Sequence, residues 1–181
     1  MSATVQTGYF FMPEHIILVG ASERPHSLGE RIFSHLLGSS YQGKITPVNL
    51  RHSSVAGIPS YSSLSKIPGQ ADLVVAVIPP DHYDSLFKAC RKKDLRHIIL
   101  IQDWENLPPE SCKNARSIIQ KHHGDELNIT VCNSAGIQLP SLNLNIGTQT
   151  DYPAGHIALL TGHSTVSRNI NHLLNTLYQG V

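Results

Sequence analysis

The sequence predicts a parallel α/β sheet with helices on both faces, followed by an incomplete β-α unit. Three observations carry that expectation. Short runs that are apolar throughout alternate with segments of helical length, as in strands buried on both faces. The first run ends in a glycine followed by small residues and a helix start. After the fifth run the text turns polar, then offers one more apolar run and one more helical pattern.

The strands are expected at 16–19, 44–48, 73–78, 98–101 and 129–131. The first, Ile16-Ile17-Leu18-Val19, stops at Gly20. A helix over 28–37 places Ile32, Phe33, Leu36 and Leu37 on one face, and one over 83–93 does the same with Leu86, Phe87 and Cys90. A third, over 109–122, has prolines at its start and Gly124 just past its end, the usual asymmetry of helix termini. The Ser-, Pro- and Gly-rich stretch 53–69 reads as a connection with one helical turn at 62–66. Strand and helix in this alternation give a Rossmann-like parallel sheet. Residues 133–153 read as polar loop, 156–160 as a new strand and 165–178 as a helix bearing Val166, Ile170, Leu173, Leu174 and Leu177. A lone β-α unit cannot cover its own faces. The expected organisation is therefore a domain over 1–143 and, over 144–181, a linker with the start of a truncated second α/β domain.

Composition narrows the function classes. The 181 residues are 40% hydrophobic and 15% charged, with a formal net charge of +1; this fits a packed core and calls for neither nucleic acid nor membrane. The trio Arg91-Lys92-Lys93 closes a helix, where the dipole favours cations. Three cysteines without a CxxC pair imply a reducing compartment, and no signal peptide or membrane span is expected, so the location expected is cytoplasmic. Eleven histidines are scattered, and His122 and His123, adjacent on a helix, diverge too far to chelate together; no metal site is expected.

The turn after the first strand, Gly20-Ala21-Ser22, suits a nucleotide pyrophosphate. Glycine permits the tight turn, small residues let backbone amides approach an anion, and the helix N-terminus adds partial positive charge. The spacing is not GxGxxG. After the second strand, where NAD-binding folds place an acid for the ribose, stand Pro47, Val48, Asn49, Leu50, Arg51 and His52. That substitution disfavours NAD and suits a phosphorylated ribose, carried by NADP and coenzyme A alike. Val77-Ile78-Pro79-Pro80-Asp81 forms a stiff strand exit able to flank an adenine, and Asp81 is also placed to cap the next helix.

The combined motifs resemble the CoA-binding domain of the NDP-forming acyl-CoA synthetases, the superfamily of the succinyl-CoA synthetase α subunit and of bacterial lysine acetyltransferases with a synthetase-like region. The resemblance rests on Ile17-Leu18-Val19-Gly20-Ala21-Ser22-Glu23-Arg24-Pro25, Gly43-Lys44-Ile45-Thr46-Pro47-Val48-Asn49, Val55-Ala56-Gly57-Ile58-Pro59 and Ala71-Asp72-Leu73-Val74-Val75-Ala76-Val77-Ile78-Pro79. Further along it rests on Asn133-Ser134-Ala135-Gly136-Ile137 and Gly155-His156-Ile157-Ala158-Leu159-Leu160. It implies CoA or acyl-CoA as ligand. Gly20, Ala21, Ser22 and Arg24 would form the phosphate loop, and Pro47, Val48, Asn49 and Arg51 would flank the ADP part. Val77, Ile78 and Pro79 would wall the adenine, and Asn133 and Ser134 would stand near the pantetheine arm. Departures are Val131-Cys132-Asn133 in place of Gly-Pro-Asn, and Trp104, bulky enough to narrow the thiol end. The turn Thr161-Gly162-His163-Ser164-Thr165 replaces the family's Ser-Gln-Ser-Gly, and His163 there reads as part of a helix-opening turn.

The family's phosphohistidine, ATP-grasp and acetyltransferase segments have no counterpart in these residues, so no catalytic residue is expected. The leading expectation is a CoA-binding module. Alternatives are a subunit completed by an ATP-grasp or acetyltransferase partner chain, an NADP-binding domain, or a non-catalytic interaction domain; a second copy of the chain is also among the partners considered.

Overall fold

The computed structural model describes residues 11–124 and 126–176. Five parallel strands form the sheet: β1 (His15–Val19), β2 (Lys44–Val48), β5 (Leu73–Ala76), β6 (His97–Ile101) and β7 (Asn128–Cys132), in the order β2-β1-β5-β6-β7. The order reverses between β1 and β5, the switch point where open α/β sheets leave a crevice at the strands' carboxyl ends. All five expected strands are present; the third ends at Ala76, short of the predicted 78.

Period-two alternation divides each strand between two cores. Ile17, Val74, Ala76, Ile98 and Leu100 face one side and pack with Phe87, Cys90 and Ala115. Those last three come from α2 (Tyr83–Lys92) and α3 (Pro109–His122). Ile16, Leu18, Leu73, Val75, Ile99 and Ile101 face the other side, against Ile32, Phe33 and Leu36 of α1 (Leu28–Gly38). Phe33 and Phe87 are fully buried on opposite faces, so each helix layer has its own aromatic anchor.

On the second face α1 is joined by something other than a helix. Strands β8 (Ile137–Leu139) and β9 (Leu144–Ile146) form an antiparallel hairpin, and Leu144 and Ile146 enter the α1 core. Residues 133–153 are therefore not simply polar loop. Ile137/Leu139 and Leu144/Ile146 alternate about a turn in which Asn143 is left-handed, φ 51°, and Pro and Asn hide that period. The expected division between 143 and 144 falls inside this hairpin's turn.

Between β2 and β5 the predicted helical turn is present as a 3-10 turn at Leu64–Lys66, preceded by an unpredicted small hairpin, β3 (Ser54–Val55) with β4 (Ile58–Pro59). Pro47 sits in edge strand β2, where proline is tolerated. The edge is covered by Tyr61, whose amide donates to Pro47 O (3.1 Å) and whose carbonyl accepts from Asn49 N (3.0 Å).

The predicted strand at 156–160 does not form: these residues are not in regular structure, and Leu160 is 99% exposed. An apolar run becomes a strand only when another strand pairs with it, and among the described residues none pairs with this one. The last helix, α4 (Ser164–Thr176), is present; residues 177 and 178 of its predicted span, Leu177 among them, lie outside the described residues. Its Asn171 is buried while Val166 and Leu173 are 46% and 56% exposed. The apolar stripe is thus only partly covered, with Ile170 and Leu174 half-buried.

The second face of α3 is braced to α2 by a polar cluster. Buried His122 accepts at Nδ1 from Arg91 Nη1 (2.6 Å) and donates from Nε2 to Asp84 Oδ1 (2.8 Å). A guanidinium only donates, so Arg91 fixes this tautomer. Lys88, His122 and Lys121 hold the Asp84 carboxyl well below its usual range. Among the described residues no group of His, Cys, Asp and Glu could hold a metal, and no helix is long and apolar enough to cross a membrane.

Burial pushes the Cys90 thiol up to about 12 and the Cys132 thiol up to about 11; burial, then Asp72 and Glu14, lifts the Tyr41 phenol to about 12. All three are neutral when folded and ionise more easily unfolded. Their contribution is complete below the unfolded thiol value of 9.0 and is lost as pH rises through the folded values. Urea midpoints measured from pH 8 to 11 should be flat to about pH 9 and then fall; a midpoint that rises over that upper range contradicts the assignment.

Candidate functional site

At the carboxyl ends of β1, β2 and β5 lies a cleft of about 890 Å³. Its floor is made by close backbone approach. Val77 N donates to Val19 O (2.8 Å) and Gly20 N to Val48 O (3.1 Å), tying the three strand ends together. Gly20 has φ +92°, and a Cβ there would stand 2.2 Å from Val77 O; a Cβ on Gly29 would stand 2.1 Å from Gly20 O. Glycine at both places lets α1 begin directly against the β1 turn.

The loop between them is braced from within. Arg24 N donates to Ser22 Oγ (3.0 Å), Ser27 N donates to Arg24 O (3.1 Å), and Ser27 Oγ caps α1 by accepting from Glu30 N (3.2 Å). The amides of Ala21, Ser22 and Glu23 make no hydrogen bond among the described residues. Together with the first turn of α1 they supply a set of donors of the kind that suits an anion.

Opposite the loop stands the turn after β2. Asn49 Nδ2 donates to Ala21 O (2.8 Å), while its Oδ1 accepts from Arg51 N (2.8 Å) and His52 N (3.1 Å). Both ends of this amide are committed to backbone, so Asn49 ties the two loops together and brings Arg51 and His52 to the cleft wall. Arg24 adds a further guanidinium to the lining.

Of the thirteen residues singled out from the sequence, ten line this cleft: Gly20, Ala21, Ser22, Arg24, Val48, Asn49, Arg51, Val77, Ile78 and Pro79. Pro47, Asn133 and Ser134 do not. Pro47 offers its carbonyl to Tyr61. Asn133 Oδ1 accepts from Ala135 N (3.0 Å), and Ser134 O accepts from Thr148, so both brace the β8–β9 hairpin. Trp104 lies outside the cleft, its Nε1 donating to Cys132 O (2.8 Å); Gln102 lines the cleft instead. Asp81 makes no capping bond, because a 3-10 turn at Pro80–His82 separates it from α2. His163 Nδ1 lies 3.2 Å from Glu105 Oε1 in an exposed pair away from the cleft.

Sequence reasoning missed one wall. Ser62, Ser63 and Leu64 line the cleft together with His82, Ser85, Leu86 and Ala89. The run of serines at 60–65 flanking a lone leucine was the available signal.

A family profile described as CoA binding domain matches residues 14–139, more than half of the chain. The chain belongs to the CoA-binding domain family. The α subunit of ADP-forming acetate–CoA ligase II from Pyrococcus furiosus is 29% identical over 164 residues, covering 90% of this chain and 35% of that protein. The α subunit of isoenzyme I from the same organism is 26% identical over 157 residues, covering 83% and 34%. The chain thus spans about a third of the length of these curated relatives. A Pyrococcus horikoshii protein of known structure shares the fold, with a TM-score of 0.77 at 24% identity over 96% of this chain and 40% of its own. The segment matched as a CoA-binding domain contains every strand of the parallel sheet and the whole cleft lining.

Proposed function

We propose that this domain holds coenzyme A or an acyl-CoA in the cleft, as the CoA-binding module of an NDP-forming acyl-CoA synthetase-like system. The observation that carries the reading is the pairing of a braced loop of free amides with Arg51 and His52 across one cleft. The amides of Ala21, Ser22 and Glu23 and the α1 N-terminus would take the pyrophosphate. Arg51, Arg24 and His52 would take the ribose phosphate, which NAD lacks. Val77, Ile78 and Pro79 would hold the base. No group in the cleft is assigned a bond-making role; the module binds and orients the thioester carrier.

Titration calorimetry of the chain with CoA, dephospho-CoA, NADP and NAD tests this. CoA should bind at micromolar strength, and dephospho-CoA roughly tenfold more weakly, the loss of one charge-assisted contact. Arg51→Ala should bring CoA down to the level of dephospho-CoA and leave dephospho-CoA itself nearly unchanged. NAD binding as tightly as CoA would sink the reading, and preference for NADP would replace CoA with that ligand.

A second reading concerns completion by other segments. Leu160, Val166 and Leu173 are exposed although their pattern is that of elements buried in an α/β layer, and the relatives are about two and a half times as long. On this reading the CoA module runs through the β8–β9 hairpin. Residues beyond about 150 then belong to a second α/β domain whose remaining parts, ATP-grasp or acetyltransferase, act with it in the cytoplasm.

A further inference from the structure

We propose that Glu23 is a positioning residue of the anion loop, its carboxylate clamped by the backbone amide of Ala56 so that the loop turns its amides and cations, and not its acid, toward the ligand. The proposal rests on the reading that the cleft takes a polyanion.

Among the described residues lining the cleft, Glu23 carries the single carboxylate, beside Arg24, Arg51 and two histidines. A carboxylate left loose in an anion site repels the ligand and competes for the same amides. Glu23 keeps its charge but is held from those amides, because its Oε1 accepts from Ala56 N at 2.5 Å, across thirty-three positions of sequence. Ala56 and Gly57 are the two central residues of the β3–β4 turn, with φ +49° and +75°. Positive φ at both is the type I′ turn that suits a twisted hairpin, and alanine at the first position is disfavoured by its Cβ. The amide of that first residue points out of the turn and has no partner in the ladder. Glu23 supplies one.

The hairpin is a fixed point. Val55 is completely buried in the α1 core, and Ser60 N donates to Ser53 O (2.8 Å) at the hairpin's base. The clamp therefore ties the middle of the loop to the core. The internal Ser22–Arg24 and Arg24–Ser27 bonds tie its remaining length to α1. These three tethers leave the amides of Ala21, Ser22 and Glu23 as donors without a partner among the described residues, an arrangement prepared before any ligand arrives.

Two substitutions separate clamp from charge. Glu23→Gln removes the charge and keeps an oxygen that accepts from Ala56 N; Glu23→Ala removes both. If Glu23 acted by charge alone, both variants would tighten binding of CoA and of inorganic pyrophosphate equally. The clamp predicts that Glu23→Gln binds each at least as tightly as the unaltered chain, and that Glu23→Ala binds each roughly tenfold more weakly, the loss of one charge-assisted bond. Hydrogen exchange of the Ala56 amide, read without ligand, should be slow in the unaltered chain and in Glu23→Gln, and about tenfold faster in Glu23→Ala. Equal affinities for the two variants, or equal exchange in all three proteins, would overturn the proposal. An unaltered chain that binds pyrophosphate but not CoA removes only the CoA reading, since the variants are then ranked on pyrophosphate. One that binds neither overturns both.

Discussion

Gly20→Ala should be the most damaging single substitution in the cleft, lowering stability by about 2–5 kcal/mol. Two independent effects add. The residue holds φ +92°, a conformation that costs an L side chain energy wherever it occurs, and the new methyl would lie 2.2 Å from Val77 O, a backbone atom with no rotamer to change. Val77 cannot retreat, because its amide is bonded to Val19 O and its neighbours are the end of the central strand β5. Gly69→Ala isolates the first effect: φ is +75° and nothing lies within 4 Å of the built Cβ. It should cost only about 1–2 kcal/mol. Urea denaturation of the two variants side by side measures the difference. If Gly20→Ala proves no worse than Gly69→Ala, the β1 turn has room to relax, and the close approach that shapes the cleft floor is not rigid. CoA titration should follow stability, since the same shift would pull Gly20 N from Val48 O.

That glycine was legible in the sequence because strand, glycine, small residues and helix follow one another without interruption. The parallel sheet was legible for a related reason: strands buried on both faces leave runs such as Leu73-Val74-Val75-Ala76 with no polar interruption. The β8–β9 hairpin escaped because its buried apolar positions are only Leu144 and Ile146, flanking a buried Asn145 and set among Gln, Pro and Ser. A single covered face three residues long carries little period. The segment 156–160 misled in the opposite sense. Its composition is that of a buried strand, but burial is a property of neighbours, and among the described residues no strand pairs with it. In the cleft, backbone-shaped positions were readable and long-range ones were not. No spacing in the sequence foretells that Glu23 meets Ala56, or that Ser62 and Ser85 line the same cleft.

Asn49 carries the second large expected effect, and it acts without needing to touch the ligand. Its side chain spends three hydrogen bonds on backbone: one donated to Ala21 O, two accepted from Arg51 N and His52 N. The orientation is forced, because the reversed amide would set its NH2 against two N–H groups and its oxygen against a carbonyl. Asn49→Ala should cost about 2–3 kcal/mol of stability, as part-buried groups on both loops lose partners. It should also weaken CoA roughly 30- to 100-fold, because Arg51 and His52 are then ordered at the ligand's expense. Asn49→Asp divides the role. The carboxylate still accepts from Arg51 N and His52 N, so the turn after β2 survives, but it cannot donate to Ala21 O and it brings negative charge beside the anion loop. Stability should therefore recover most of the way while affinity does not. The opposite split, with Asn49→Asp binding CoA normally in a destabilised protein, would mean that the Arg51 turn matters to folding and the link to Ala21 does not matter to the ligand. Calorimetry and urea midpoints on the same two variants decide between these. The comparison is informative because each variant keeps or loses a bond to one loop and not the other, which turns a question about a whole cleft into one about a single amide.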